Sequence, residues 1–255
     1  MTAPIILMRP GEANNRLAAK LEREGLDVWR WPAFTIELPA ETDRLREVLE
    51  DLASFDLVVI PSPSAVPAVA HWVHDWPETV TLATVGEGTA KAIRAAWGDE
   101  VKLIYPAGDA EHSGSEALWA MVEERGAPRR VLFLRGQTGR EWLPQRFREM
   151  GADVVVVCAY VRLPLELSNG QIAELIRGMT NEHPVVYVTS TDAVDVLMHA
   201  LRPIPGARDW VTRGAAVTIH PRVAARLREA GFERIDMTSV DDETVTAHIR
   251  AFLEA

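Results

Sequence analysis

Apolar runs of strand length alternate with stretches of helical spacing along the whole chain. Runs at 4–8, 27–31, 56–61, 80–85, 101–105, 131–135, 153–159, 184–189, 215–219 and 234–237 predict strands. Apolar residues recurring every three to four positions predict helices over 12–24, 43–53, 64–74, 88–97, 115–125, 140–150, 169–178, 191–201, 221–230 and 241–253. Alternation of this kind points to parallel sheets with helices on both faces. Gly25, Gly98, Gly151 and Gly231 each fall just past a helical stretch, where a left-handed residue ends a helix at little cost. Ser113-Gly-Ser-Glu116, ahead of Ala117-Leu118-Trp119, reads as a capping box, and Asp43 and Ser168 read as helix caps.

The pattern is written twice. Residues 5–16, IILMRPGEANNR, lead through Leu17, Leu21 and Gly25 to Val28. Residues 131–142, VLFLRGQTGREW, lead through Leu143, Phe147 and Gly151 to Val154, 126 positions later and without a gap. A second echo pairs DLVVIPSPSAV (56–66) with PVVYVTSTDAV (184–194), and a weaker third pairs ATVGEGTAKAI (83–93) with VTIHPRVAARL (217–227). Four units result, 5–36, 56–105, 131–162 and 185–236, with similar linkers IELPAETD (36–43) and RLPLELSN (162–169). Duplication of this kind predicts two similar α/β lobes with a cleft between them. The lobes could be sequential, or crossed, with the first unit joining the fourth and the second joining the third. Periodicity alone does not choose.

Composition narrows the function classes. The 255 residues are 47% hydrophobic and 25% charged, an ordinary globular mixture. No apolar run approaches the ~18 residues of a membrane span, and Ile5–Met8 is too short for a secretory core. A single cysteine, Cys158, permits no intramolecular disulfide framework and fits a reducing cytoplasm. Its setting, VVVVCAY, reads as a buried, inert thiol. The net charge of −10 argues against nucleic-acid or anionic-membrane partners, so an anionic ligand has to be captured by local donors. His71 and His74 stand beside Trp72 and Trp76 without a third ligand, and no metal site is expected.

In parallel α/β lobes, ligands sit beyond the carboxyl ends of the strands. That rule selects Arg9-Pro10, Ser62-Pro63-Ser64, Gly86-Glu87-Gly88-Thr89, Arg135-Gly136-Gln137-Thr138, Ser190-Thr191-Asp192 and His220-Pro221-Arg222. These loops lead into helix N-termini, whose free N–H groups favour carboxylate or phosphate oxygens. The plainer reading is that the hydroxyls only cap helices. Arg9 and Arg135 could likewise anchor strand ends, whereas Arg140 suits a ligand carboxylate bound through two N–H groups. Tyr160 could donate a phenolic proton, or simply pack against the linker. VGEGTA lacks the spacing of a dinucleotide or phosphate loop, and no GxSxG, HExxH or CxxC is present.

ILMRP, WPAFTIE, DLVVIPSPSAV, VGEGTA, VLFLRGQTGREWLPQRFREMGADV, AYVRL and VYVTSTDAV, in this order and spacing from about residue 5 to 250, resemble the uroporphyrinogen-III synthase family. The resemblance implies two Rossmann-like or flavodoxin-like parallel-sheet lobes joined by a two-stranded linker. It implies the crossed assembly, with 1–37 and 167–255 in one lobe, 38–166 in the other and the catalytic cleft between them. The activity implied is a cyclising lyase in haem biosynthesis. It converts hydroxymethylbilane, a linear tetrapyrrole with eight carboxylate arms, to uroporphyrinogen III without metal or cofactor. Hydroxyl loss gives an azafulvene cation, attack by the last ring forms a spiro intermediate, and rearrangement leaves that ring inverted. Closure to isomer I occurs spontaneously, so the enzyme's task is orientation.

By this resemblance Tyr160 assists hydroxyl departure, and Thr89 matches the threonine of the VGxxTA block. Substrate carboxylates are expected at Arg9, Ser62, Ser64, Gly86, Thr89, Arg135, Gly136, Arg140, Ser190, Thr191 and Arg222. The chain departs from the family where His220-Pro221-Arg222-Val223-Ala224 replaces a Gly-x-Thr-Thr-Ala-like block, and where Ser64 replaces a frequent Asn. Arg222 is then a charged substitute for a lost threonine. A cytoplasmic monomer is expected. The competing readings are a non-catalytic two-lobed binding module of the same fold and a nucleotide-sugar transferase. The second is disfavoured by the missing phosphate loop and Asp-x-Asp.

Overall fold

The computed structural model describes residues 3–107, 113–126, 128–180 and 182–254. The chain opens with β1 (Ile5–Leu7), α1 (Glu12–Arg23), β2 (Val28–Arg30) and β3 (Phe34–Glu37). Next come α2 (Asp43–Glu50), β4 (Leu57–Val59), α3 (Ala65–Ala70), β5 (Thr81–Ala83), α4 (Glu87–Trp97) and β6 (Leu103–Ile104). Then follow α5 (Ser115–Glu123), β7 (Arg130–Gly136), α6 (Trp142–Glu149), β8 (Asp153–Pro164) and α7 (Asn169–Gly178). The last part holds β9 (Val185–Tyr187), α8 (Thr191–Ala200), α9 (Ala207–Thr212), β10 (Ala215–Thr218), α10 (Pro221–Glu229), β11 (Arg234–Met237) and α11 (Asp242–Leu253).

Two compact units emerge, Met1–Thr35 with Leu163–Ala255, and Ile36–Arg162. The first holds a five-stranded sheet of order β11-β10-β9-β1-β2. Its pairings are parallel, with Ile5 beside both Val28 and Val185. Strand alternation sends Ile5, Leu7, Val185, Tyr187, Ala215 and Val217 to one face, against Leu17 and Leu21 of α1 and Val245 and Ile249 of α11. Ile6, Met8, Trp29, Val186 and Ala216 face the other way, against Leu197, Trp210 and Leu227. A sheet covered on both faces explains why these strands read as continuous apolar runs.

The second unit holds a six-stranded sheet of order β3-β8-β7-β4-β5-β6. The β8-β7-β4-β5-β6 pairings are all parallel. Val58, Ile60, Leu82, Leu132 and Leu134 pack with Leu45 and Val48 of α2 and Val66 and Val69 of α3. Leu57, Val59, Val131 and Phe133 pack with Leu118 of α5 and Phe147 of α6.

The 126-residue echo extends to individual hydrogen bonds. After α1, the Gly25 N–H donates to Glu22 O (3.0 Å) and the Leu26 N–H to Leu21 O (3.2 Å). After α6, the Gly151 N–H donates to Arg148 O (2.9 Å) and the Ala152 N–H to Phe147 O (3.0 Å). Both glycines are left-handed, φ 79° and 91°, which a side chain would strain.

Some local expectations need correction. The capping box at Ser113–Glu116 does not form: α5 begins at Ser115 behind an N-cap Gly114, and no side chain caps it. Asp43 is the first helical residue, with Thr42 at the cap position. Ser168 does form a capping box, its Oγ accepting from Gln171 N. β8 continues past the predicted 159 to Pro164, and β3 and α9 add to the expected elements. β3 is half-exposed to exposed throughout, so it carries no alternating signal, and α9 is too short to show a helical period. Among the described residues no helix is long and apolar enough to cross a membrane.

Candidate functional site

In the 36–162 unit, the parallel register brings the carboxyl ends of β4, β5 and β7 to one edge. β8 runs beside β7 in register from Arg130–Asp153 to Arg135–Cys158; then the register slips, and Gly136 pairs with Tyr160. The slip is a bulge, and it re-aims a side chain. Ala159 and Tyr160 both join the same apolar cluster, which strict alternation forbids.

Gly136 then receives the phenol. A Cβ on Gly136 would lie 2.9 Å from Tyr160 Cζ and 3.1 Å from its hydroxyl oxygen. The ring is 8% exposed, and its hydroxyl donates to Ser62 Oγ at 3.2 Å. Ser62 Oγ also accepts from Ser64 N at 3.3 Å, which fixes the turn between β4 and α3. Tyr160 thus has a set orientation, with its proton directed at a side chain in another loop.

Tyr160 and Ser62 line a pocket of about 250 Å3 together with Arg135, Gly136, Thr138 and Arg140. Arg135 is largely committed. One Nη donates to Arg140 O at 3.0 Å, the other pairs with the Glu141 carboxylate, and its side chain lies against Gly139. Its role in the folded chain is to hold the 137–141 loop closed over the strand end. Arg140 is different: its side chain is 65% exposed and reaches Glu116 of α5 through two N–H donors, at 2.6 and 3.4 Å. That hydrogen bonding, helped by the Glu116 backbone N–H and the Arg140 charge and opposed by desolvation, holds the Glu116 carboxyl below the usual range. An exposed pair of this kind contributes little to stability, so an incoming carboxylate can replace Glu116 without disturbing the fold.

Not every expected residue meets this pocket. Gly86 precedes α4 in extended conformation, and Thr89 is buried within the first turn of α4; neither lines the pocket, whereas Val85 and Ser115 do. Ser64 faces an adjoining pocket. Thr138, selected with the 135–138 rim, does line the pocket, while Ser115 and Glu116 are additions to the expected site residues. Their sequence signal is slight, since each lies in or just after a Gly- and Ser-containing loop that reads as a plain helix entry.

In the other unit, Arg9, Ser190, Thr191 and Arg222 stand at the carboxyl ends of neighbouring strands β1, β9 and β10. Arg9 Nη1 donates to Asp242 Oδ1 at 3.0 Å, and its guanidinium lies 5.8 Å from the Tyr187 ring centroid. Burial pushes the Tyr187 phenol up, against the opposing pull of Arg9. Ser190 caps α8, its Oγ accepting from Ala193 N at 3.2 Å, and Thr191 is the half-exposed first residue of that helix. Arg222 is exposed, while its backbone N–H donates to Nδ1 of the cap residue His220 at 3.1 Å. Cys158 is partly buried and its thiol is pushed up, chiefly by desolvation.

Fold and site together define a class: α/β proteins of two parallel-sheet units that gather hydroxyls, guanidiniums and helix N-termini at the carboxyl ends of their strands. Comparison with known proteins makes this specific. The family model described as uroporphyrinogen-III synthase HemD matches residues 15–242, and the chain belongs to that family, whose members are lyases of tetrapyrrole biosynthesis. The chain is 27% identical over 252 residues to the uroporphyrinogen-III synthase of Escherichia coli (strain K12), covering 97% of this chain and 98% of that protein. It is 29% identical over 257 residues to that of Salmonella typhimurium (strain LT2), with the same coverage. Among solved structures, a mutant uroporphyrinogen III synthase from the extremely thermophilic bacterium Thermus thermophilus superposes with a TM-score of 0.56 at 17% identity, over 99% of this chain and all of that one. The synthetase from Helicobacter pylori 26695 gives 0.57 at 15%, over 98% and 99%. At these identities the two structures speak for the fold.

Proposed function

We propose that this enzyme cyclises hydroxymethylbilane to uroporphyrinogen III with inversion of the terminal ring, using Tyr160 to assist hydroxyl loss. The observation that carries the reading is the Tyr160–Ser62 couple, pinned by Gly136 in a pocket that also presents Arg140. A linear tetrapyrrole with eight carboxylate arms needs many anion contacts and one oriented proton donor. Arg140, Ser62 and Thr138 hold carboxylate arms at the pocket. Gly86 and Thr89, at the start of α4, serve neighbouring arms, and Ser64 contacts the substrate on the other side of Tyr160. Arg9, Ser190, Thr191 and Arg222, at the strand ends of the other unit, are the carboxylate contacts this reading assigns to that unit.

The chemistry balances without a redox partner. The terminal hydroxyl leaves as water, taking up a proton, and the azafulvenium cation that remains is attacked by the substituted carbon of the last ring. The spiro intermediate rearranges, and the ring carbon that regains aromaticity returns a proton, so the net loss is one water. Tyr160 supplies hydrogen-bond assistance at the leaving oxygen, its phenol turning from Ser62 to the substrate. Because closure to isomer I is spontaneous, the enzyme's contribution is to enforce a conformer. We place the activity in the cytoplasm, on a monomer.

Fresh hydroxymethylbilane should yield the type III isomer with purified protein and no added metal or cofactor, read by chromatography of the oxidised products. Type I alone, at the uncatalysed rate, overturns the reading. Tyr160→Phe should lower kcat on the order of 10²-fold while costing only about 1 kcal/mol of stability, the worth of one part-buried hydrogen bond.

A further inference from the structure

Tyr160 is a shared wall. On one side lies the arginine-bearing pocket already described; on the other lies a second pocket of about 440 Å3, framed by Ile36, Leu38, Pro67, Ala68, Ser64 and His71. The chemistry of the two differs. The first presents guanidinium groups, whereas no lysine or arginine lines the second, whose titratable walls besides Tyr160 are Glu37 and His71. A carboxylate arm meets no lysine or arginine there, and Glu37 repels it. An uncharged flat group does fit, since most of the wall is aliphatic.

The strand that builds it points the same way. Ile36 and Leu38 lie two residues apart, on one face of the extended segment at the end of β3, and are 39% and 38% exposed. Large apolar side chains left open beside a polar site mark a surface that something covers. The adjoining site has a substrate made of two kinds of part, charged arms and neutral pyrrole rings, and only the arms are served by the arginine pocket.

We propose that the second pocket seats a pyrrole ring of the bilane, its face on Ile36 and Leu38 and its N–H towards the Ser64 hydroxyl. Arms of the same substrate then pass Tyr160 to reach Arg140. This inference rests on the cyclase reading and deepens it: Ile36 and Leu38 become specificity-determining residues, because a seated ring fixes which conformer closes. A ring in this place has its edge against the phenol that assists hydroxyl loss.

The test uses the whole enzyme and fresh hydroxymethylbilane, with Ile36→Glu and Leu38→Glu setting a carboxylate where the ring would lie. Both positions are exposed, so thermal melts should stay near wild type. KM should rise about tenfold, a change of roughly 1.4 kcal/mol in binding, and the type I fraction of the product should increase. Leu38→Ser, which only trims the wall, should shift KM in the same sense and carries the test should a glutamate disturb β3. Ile176→Glu, on the 55% exposed Ile176 of α7 outside both pockets, is the matched control and should leave KM unchanged. A wild-type protein that makes no type III isomer overturns the cyclase reading itself. A wild type that makes it, beside Ile36 and Leu38 variants with unaltered KM and isomer ratio, overturns the ring pocket alone. Variants with unaltered kinetics that convert a wild-type dimer to monomer in sedimentation overturn it too, in favour of a second copy as the occupant.

Discussion

Gly136 has no space for even a methyl group, because the Tyr160 ring occupies it. Gly136→Ala should therefore displace the phenol from Ser62 without removing it, and an aromatic ring has few ways to yield within its apolar cluster. With Tyr160 in its proposed role, we expect kcat to fall roughly 10- to 100-fold, as for other small displacements of an assisting group, with a matching increase in type I product; steady-state kinetics with isomer analysis checks it. A variant with wild-type kcat would place the phenol's position outside the rate. At this scale the chain names its chemistry but not its geometry. Ser62, Arg135, Arg140 and Tyr160 are recognisable as strand-end polar residues. That Arg135 is consumed by Arg140 O and Glu141, leaving Arg140 as the displaceable partner, depends on how a loop folds back. The bulge between Arg135 and Gly136 is equally invisible, because it belongs to the pairing of two strands and to neither strand alone.

Elements are tied together at both ends, and the end away from the site has its own clamp. The Asp56 carboxylate, just ahead of β4, accepts from Arg129 N (2.8 Å) and Arg130 N (2.9 Å) at the start of β7. The Arg130 N–H is the largest cause that draws this carboxyl below 3.8, joined by the Arg129 N–H and both guanidinium charges against a desolvation cost. A lowered folded-state value contributes stability above the unfolded value, and that stability is lost as pH falls through the folded one. Asp56→Asn should thus lower the urea midpoint at pH 7 and lose less than wild type between pH 7 and pH 3. Equal losses in both proteins would remove the clamp from the acid response. Elements with a burial period are legible: α1 and α6 lie close to their predicted bounds. β3 is not, since all its residues but Phe34 are exposed and its pairing with β8 supplies the order that alternation usually signals. The misplaced cap at α5 has a similar cause: Ser113, Ser115 and Glu116 have the right chemistry, but Gly114 takes the cap position with φ 119°.

The whole molecule is two units of unequal continuity. Ile36–Arg162 is a single stretch, whereas the other unit is assembled from Met1–Thr35 and Leu163–Ala255. The fragment 36–162 should unfold cooperatively on its own, with one calorimetric transition. The fragment 163–255 should not, because it lacks β1 and β2 and leaves the edge of β9 open; a peptide of residues 1–35 should restore its transition. Cooperative unfolding of 163–255 alone would show that β1 is dispensable to the sheet. The echo in the sequence is enough to expect two similar sheets, but the same apolar strand suits many neighbours, and only the long-range register Ile5–Val185 states which one it takes.

That register has a consequence in time. A ribosome adds ~5–20 residues per second, so β9, the second of the two strands that flank Ile5–Leu7, reaches solution roughly 10–40 seconds after the strand itself. During that wait the continuous unit can fold behind it, while an apolar segment meant for the centre of a sheet stays open to the cell. The newborn chain is most vulnerable at its beginning. For this protein, the hazard of synthesis lies in the first thirty residues and ends only when the last third arrives.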